Sequence, residues 1–402
     1  MTSVRRPTTV GALRRGIIGF LVIVAIGAAL AVTTCRSQDG NFSQFPGFDA
    51  YFKANPPSDA LPTQEERALL WRNRPHLFIA EGEDGPIDFY RDYIGEGELR
   101  DGDGALISAS VTQDILNRHK ADPDLTFVHK PSGTVSPRPV LYGRVDHDTV
   151  TFDSVHGPLT QTFTFLTYNA VFRTSGLPAA LPKWQGLLLG LFVDLEDWHQ
   201  LDHYTAATVV LDGVDAPVAV VLQQHNQQHS YLVGRDIMLG PDGRIAVDAA
   251  IRSNEFYPHA SDRQRHRAVA MPDGEGMRYL IAGQDQPWMS ADDVTEGTVP
   301  VDYDLSFLAP SDAFYTFQGF LGEKRLLPGR DGPPGAAYNT LPSLKARAMQ
   351  LFVGYWRSDD PEDMKRYETA ADGGGGLFAF AEAQKRRFFC DWRALRGASE
   401  PC

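Results

Sequence analysis

Between about residues 138 and 283 the apolar positions fall in short runs rich in β-branched and aromatic residues, separated by Gly, Pro, Asn and Asp. "RPVLYGRV", "LTQTFTFLTYNAVF", "AATVVL", "PVAVVLQQ", "SYLVGRDIML", "RIAVDAAIR" and "MRYLIAG" each read as a strand. "GPDG" at 240–243 and "PDGEG" at 272–276 read as hairpin connections. Strands at this spacing, without regular intervening helices, predict a mainly β fold: an antiparallel β-sandwich or open barrel rather than a parallel α/β sheet. One apolar run breaks the pattern. "WQGLLLGLFVDLEDW", residues 184–198, is too short to span a bilayer and reads as a buried helix or inserted loop.

The period changes at both ends of this region. In "TQEERALLWRN", Thr63 precedes Glu66 by three residues, a capping-box spacing that predicts a short helix. "LPSLKARAMQLFVGYW" carries apolar residues at helical spacing. The glycine run in "DGGGG", residues 372–376, interrupts it, and "LFAFAEAQKRRFFCDWRAL" predicts a second helix. The expected organisation is a cytoplasmic basic segment (1–15), a transmembrane helix (16–34), a linker (35–64), a β-sandwich domain (65–310) and a helical C-terminal appendage packed on it (311–402).

The N-terminus supplies an address. Arg5, Arg6, Arg14 and Arg15 precede an uncharged stretch from Gly16 to Thr34, 19 residues long. As a helix that is ~28 Å, enough for a hydrocarbon core of ~30 Å. Positive charge before the segment holds the N-terminus in the cytoplasm and puts the rest outside the cytoplasmic membrane, in the periplasm or at the cell exterior. A lipidated Cys35 after "LAVTT" and a cleaved leader are the rival readings, and both leave the main domain on the same side. Cys390 and Cys402, twelve positions apart, could then form a disulfide in an oxidising space or remain unrelated thiols.

Composition narrows the partners. The net charge of −13 lacks the basic footprint of non-specific nucleic-acid binding, so no nucleic-acid partner is expected. The spacing of the three cysteines offers no thiolate metal site. The sequence contains no GxSxG, HExxH, P-loop or strand-following GxGxxG. "DGDG" at 101–104 has Thr112 where a calcium loop needs Glu, so an acidic turn is expected there.

Two stretches resemble known families. "RNRPHLFIAEGEDGPIDFYRDYI", residues 72–94, is similar to the entry segment of the vacuolar protein sorting-associated-like domains, with Pro75, Glu81 or Glu83, Pro86 and Phe89 in the matching places. "FTFLTYNAVFRTSG", Asp202–His203, "PVAVVLQQHN" and "RSNEFYPHAS" resemble that family's succession of a Tyr-rich strand, an acidic corner, a strand ending in His and a closing His-containing element. The necrosis- and ethylene-inducing-like cytolysins share a similar succession. Asp202-His203-Tyr204 stands where those families carry Asp-Trp-Glu, so the corner carboxylate has no counterpart. The resemblance covers roughly residues 72–265 and implies a β-sandwich; from the cytolysins it also implies a divalent cation near the corner.

Six histidines fall between residues 199 and 266. A three-residue "NQQ" loop would oppose His225 and His229 across a hairpin at ~4.5–5.5 Å between Cβ atoms. With Asp202, His203 and Glu255 they form a candidate His/carboxylate set for one divalent metal ion. The plainer reading is a solvated hairpin tip, given Gln223, Gln224, Gln227 and Gln228. Arg252, Asn254, Phe256 and Tyr257 are the candidate ligand-binding residues, the aromatics as stacking partners for a sugar. Three functions follow: a membrane-anchored module binding a glycan or lipid head group, a metal-dependent hydrolase using the His225/His229 cluster, and a structural envelope protein.

Overall fold

The computed structural model describes residues 59–130, 138–154, 157–173, 179, 205–224, 227–270, 289–322, 335, 348–357, 360–372 and 376–397. The proposed anchor at 16–34, the 184–198 run and the expected strand "MRYLIAG" with its "PDGEG" turn lie outside these residues. Among the described residues no helix is long and apolar enough to cross a membrane.

The elements in chain order begin with α1 (Gln64–Asn73), β1 (His76–Ala80), β2 (Gly97–Arg100), β3 (Leu106–Ser108), α2 (Gln113–His119) and β4 (Thr126–His129). The long strands β5 (Val140–Ser154) and β6 (Gly157–Ala170) follow, then β7 (Ala206–Leu211), β8 (Pro217–Gln224) and β9 (Gln227–Leu232). Next come β10 (Ala246–Ala249), β11 (Phe256–Pro258), β12 (Gln264–Ala270), β13 (Met289–Thr295), β14 (Thr298–Val301) and β15 (Asp304–Ser306). The helices α3 (Ala313–Thr316), α4 (Ala348–Val353), α5 (Pro361–Asp372) and α6 (Gly376–Leu395) complete the chain.

The fold is mainly β, in several sheets and with no closed barrel among the described residues. The largest sheet runs β15-β5-β6-β7-β8-β9, and a smaller one runs β11-β10-β1-β14. The expected β7–β8 and β8–β9 hairpins are present with antiparallel pairing. Antiparallel pairing is not universal, however. β1 pairs in parallel with β10, and β15 with β5. Both pairs join segments far apart in sequence, a relationship that local turn signals do not encode. "GPDG" forms a turn, with Gly243 at φ +80° and its N–H on Gly240 O, but not a hairpin. It carries the chain from β9 in the large sheet to β10 in the small one.

Alternation along β8 explains the packing. Val220 and Leu222 join a core cluster with Leu77, Ile79, Val247 and Phe256 of the small sheet. Ala219 and Val221 join a second cluster with Leu351, Phe388 and Phe389 of the C-terminal helices. The large sheet is thus covered on both faces, which is why "AATVVL" is buried at every position. Ring pairs such as Phe152–Phe389 (5.1 Å between centroids) and Phe163–Trp392 (5.8 Å) line the helix side. Each such aromatic contributes roughly 2–3 kcal/mol on burial. Helix α6 fits the sequence expectation closely, while α5 was not anticipated. Cys390 on α6 is disulfide-bonded; its expected partner, Cys402, lies outside the described residues.

Local rules hold where they are purely local. Thr63 Oγ1 accepts from Glu66 N–H at 3.2 Å and Glu66 Oε2 accepts from Thr63 N–H at 2.7 Å, closing the capping box on α1. Asp101 spends its carboxylate on its own turn, accepting from the N–H groups of Asp103 (3.0 Å) and Ala105 (2.8 Å).

Candidate functional site

The structure tests the expected site residues unevenly. Asp202, His203 and His225 lie outside the described residues. The β8–β9 register pairs Gln224 with Gln227 and Leu222 with His229, so His229 stands opposite Leu222 rather than opposite His225 as expected. His229 is not at a solvated tip. It is buried, its ring 4.2 Å from the Trp356 ring, and burial pushes its pKa down to about 3. The chain at Gly354 covers the β9 edge here, accepting the Ser230 N–H at 2.8 Å. The described residues contain no group of three or more His, Cys, Asp or Glu side chains arranged to hold a metal ion.

One expected approach does occur. Gln224 Nε2, at the end of β8, donates to Phe256 O and to Tyr231 Oη, each at 2.9 Å. The β8–β9 hairpin end therefore meets the β11 strand next to Glu255. Phe256 and Tyr257 themselves are each 1% exposed, which corrects their expected role as exposed stacking surfaces. The alternation of β11 sends Phe256 into the core between the sheets and Tyr257 to the opposite face, where a second layer of residues covers it.

That opposite face of the small sheet holds the densest polar arrangement near the expected site. Cross-strand pairing aligns Phe78, Asp248 and Tyr257 on it. Asp248, fully buried, accepts from His259 Nδ1 at 2.7 Å, Thr298 Oγ1 at 2.9 Å and Ala260 N–H at 3.0 Å. The His259 ring stacks on Phe78 at 3.8 Å and keeps 27% of its side chain exposed. Asp293, also fully buried, accepts from Ser253 Oγ at 2.7 Å and Tyr257 Oη at 2.6 Å. His266 stacks on Tyr257 at 3.9 Å. Burial lowers the His266 pKa to about 4, opposed by the charges of Asp293 and Asp248. Burial, then the Asp293 charge, raises the Tyr257 pKa well above its ordinary value.

These bonds pin the 250–255 loop in an unusual shape. Arg252 and Asn254 adopt φ of +69° and +61°, left-handed conformations that side chains other than glycine rarely take. The loop is held by Ile251 N–H on Val294 O (3.0 Å), Asn254 N–H on Ala250 O (3.0 Å) and Ala250 N–H on Glu255 O (2.8 Å). Residues Ser253 to Tyr257 are buried, while Arg252 is exposed. Arg265, exposed on β12, stands opposite Val294, the residue whose carbonyl anchors this loop. A backbone fixed by these bonds thus presents the exposed Arg252.

Sequence reading missed Asp248 and Asp293 as the pins of this face. Asp248 had a signal, a lone acid inside the apolar run "RIAVDAAIR"; such an acid in a buried strand must find hydrogen-bond donors. Asp293 had none, since "SADDVT" reads as a polar loop.

No family model and no curated protein matches the chain. Two solved structures of the necrosis- and ethylene-inducing-like toxin fold are distantly similar. NLPPya in complex with glucosamine shares 13% identity over 49% of this chain and 70% of its own, with a TM-score of 0.24. A second, described as a toxin fold for microbial attack and plant defense, shares 12% identity over 50% of this chain and 72% of its own, with a TM-score of 0.25.

Proposed function

We propose that the chain is a membrane-anchored, extracytoplasmic β-sandwich module that binds a glycan or lipid head group bearing an acidic group. The observation that carries this reading is Arg252, exposed on a loop whose left-handed backbone is fixed by buried bonds. Among the described residues its guanidinium has no ion-pair partner. Backbone strain of order 1–3 kcal/mol persists only where the surroundings over-determine it, and it concentrates at ligand clamps. A guanidinium recognises phosphate or carboxylate through a planar fork of N–H donors. His259 adds a partly exposed imidazole at the other end of the β10–β11 hairpin.

The aromatic stacking first expected of Phe256 and Tyr257 is not part of this reading, because both rings are buried. The disulfide at Cys390 supports an address in an oxidising space. The test is an array of acidic glycans, neutral glycans and phospholipid head groups probed with the full chain in detergent. Binding of acidic members that salt and Arg252→Gly both weaken is the expected result. No acidic hit, or acidic binding that neither salt nor Arg252→Gly weakens, would overturn the reading.

A further inference from the structure

The large-sheet face toward the C-terminal helices changes character along its length. Phe163, Phe165, Val210 and Ala219 lie in the core cluster shared with the helices. Further along the same face, Arg144, Thr167 and Thr208 form one cross-strand row, and Asn169 stands in the next. This end is polar yet closed to solvent: Arg144 is 2% exposed, Thr167 and Asn169 0%, and Thr208 3%.

Some of these groups satisfy one another. The two threonine hydroxyls lie 3.0 Å apart, and Arg144 Nη2 donates to the buried Asp146 carboxylate. Others do not. Arg144 Nε and Nη1, both amide atoms of Asn169 and the Tyr315 hydroxyl are buried without a hydrogen-bond partner. Tyr315 belongs to the same enclave, its ring centre 5.9 Å from the Arg144 guanidinium carbon. An unpaired buried polar atom keeps its full desolvation cost, so an apolar side chain of similar shape would serve a purely structural role better. Five such atoms fall on these three side chains, and the concentration of donors marks a place for a partner.

The chemistry of that partner follows from charge and donor balance. Arg144 is already paired with the Asp146 carboxylate, which would repel an added anion at this place. The unpaired guanidinium, amide and phenol N–H and O–H groups outnumber the unpaired acceptors, which calls for a molecule rich in oxygen. We propose that the enclave of Arg144, Asn169 and Tyr315 is a buried binding site for a small neutral polyhydroxylated molecule, a monosaccharide or polyol, separate from the Arg252 loop.

The experiment uses the full chain in detergent, with glucose, N-acetylglucosamine, myo-inositol, glycerol, acetate and phosphate as probes in thermal-shift and calorimetric titrations. At least one neutral probe raises Tm saturably. Asn169→Leu weakens that probe by about tenfold or more, the equivalent of one lost hydrogen bond to a buried group, while its own ligand-free Tm is unchanged or higher. Arg252→Gly leaves the enclave's affinity intact, which separates this site from the surface loop. Where Asn169→Leu fails to fold, Tyr315→Phe, which removes only a hydroxyl, carries the test with a smaller loss. No saturable shift with any neutral probe, a response to acetate or phosphate alone, or undiminished binding in the variant overturns the proposal.

Discussion

Asp248 and His259 form a hydrogen-bonded pair in which a fully buried carboxylate holds a partly exposed imidazole at 2.7 Å, with Phe78 stacked beneath the ring. The pair sets the orientation of the chain leaving β11. The same carboxylate accepts the Ala260 N–H and the Thr298 hydroxyl, so one side chain ties together three segments of the outer face.

Asp248→Ala should therefore be costly out of proportion to its size. Loss of a buried acceptor with three donors is expected to destabilise the domain by on the order of 2–3 kcal/mol. Urea denaturation at pH 7 measures this. A change within a few tenths of a kcal/mol would mean that water replaces the carboxylate without penalty.

His229 predicts an acid limb to stability. Its folded pKa, pushed down to about 3, lies below the usual value near 6.5 in the unfolded chain. Between these values the unfolded state binds more protons, so stability rises with pH across the window and is lost as pH falls from about 6.5 toward 3. The full effect is on the order of 5 kcal/mol. His229→Phe, which keeps a ring against Trp356, should flatten this limb; denaturation midpoints at pH 7 and pH 4.5 compare the two proteins. Equal slopes would place the acid sensitivity elsewhere.

Gly354 tests the seal on the β9 edge. A Cβ there would lie 2.6 Å from Ser230 Oγ and 2.9 Å from Gln228 O. Gly354→Ala should cost about 1–3 kcal/mol by forcing the segment off the edge, and hydrogen exchange should show faster exchange of the Ser230 amide. An unaltered amide would show that the helices hold the sheet through their aromatic rings alone.

Non-reducing peptide mapping of the native protein should find Cys390 linked to Cys402. Two free thiols would contradict both the link and the exported address.

Much of the large sheet was legible because its strands obey a local rule. β7 and β8 occupy the expected residues, since an all-buried apolar run bounded by Asp, Gly and Pro has few other solutions. The apolar pattern predicts β5 only to Val145, yet the strand continues to Ser154. Its outer half is "DHDTVTFD", whose exposed face uses threonine pairs such as Thr149–Thr162, 2.9 Å apart, in place of apolar residues. The small sheet was harder to see, because β1 meets β10 across more than 160 residues of sequence and no turn joins them. The same limit applied to the site. Residues 252–257 were singled out from sequence, but which rings are buried depends on Asp293, a residue brought over by β13.

The most direct test of the proposed binding surface is the affinity of Arg252→Gly for the acidic glycan or lipid head group that the wild-type chain selects, measured by calorimetry at low and physiological salt. Glycine takes the left-handed backbone without strain, so the variant should keep or slightly raise its Tm. Its affinity should fall by about tenfold or more, as expected when a charged hydrogen-bond donor is removed. An affinity equal to that of the wild-type chain, with the fold intact, would contradict the assignment of Arg252 as the recognition residue.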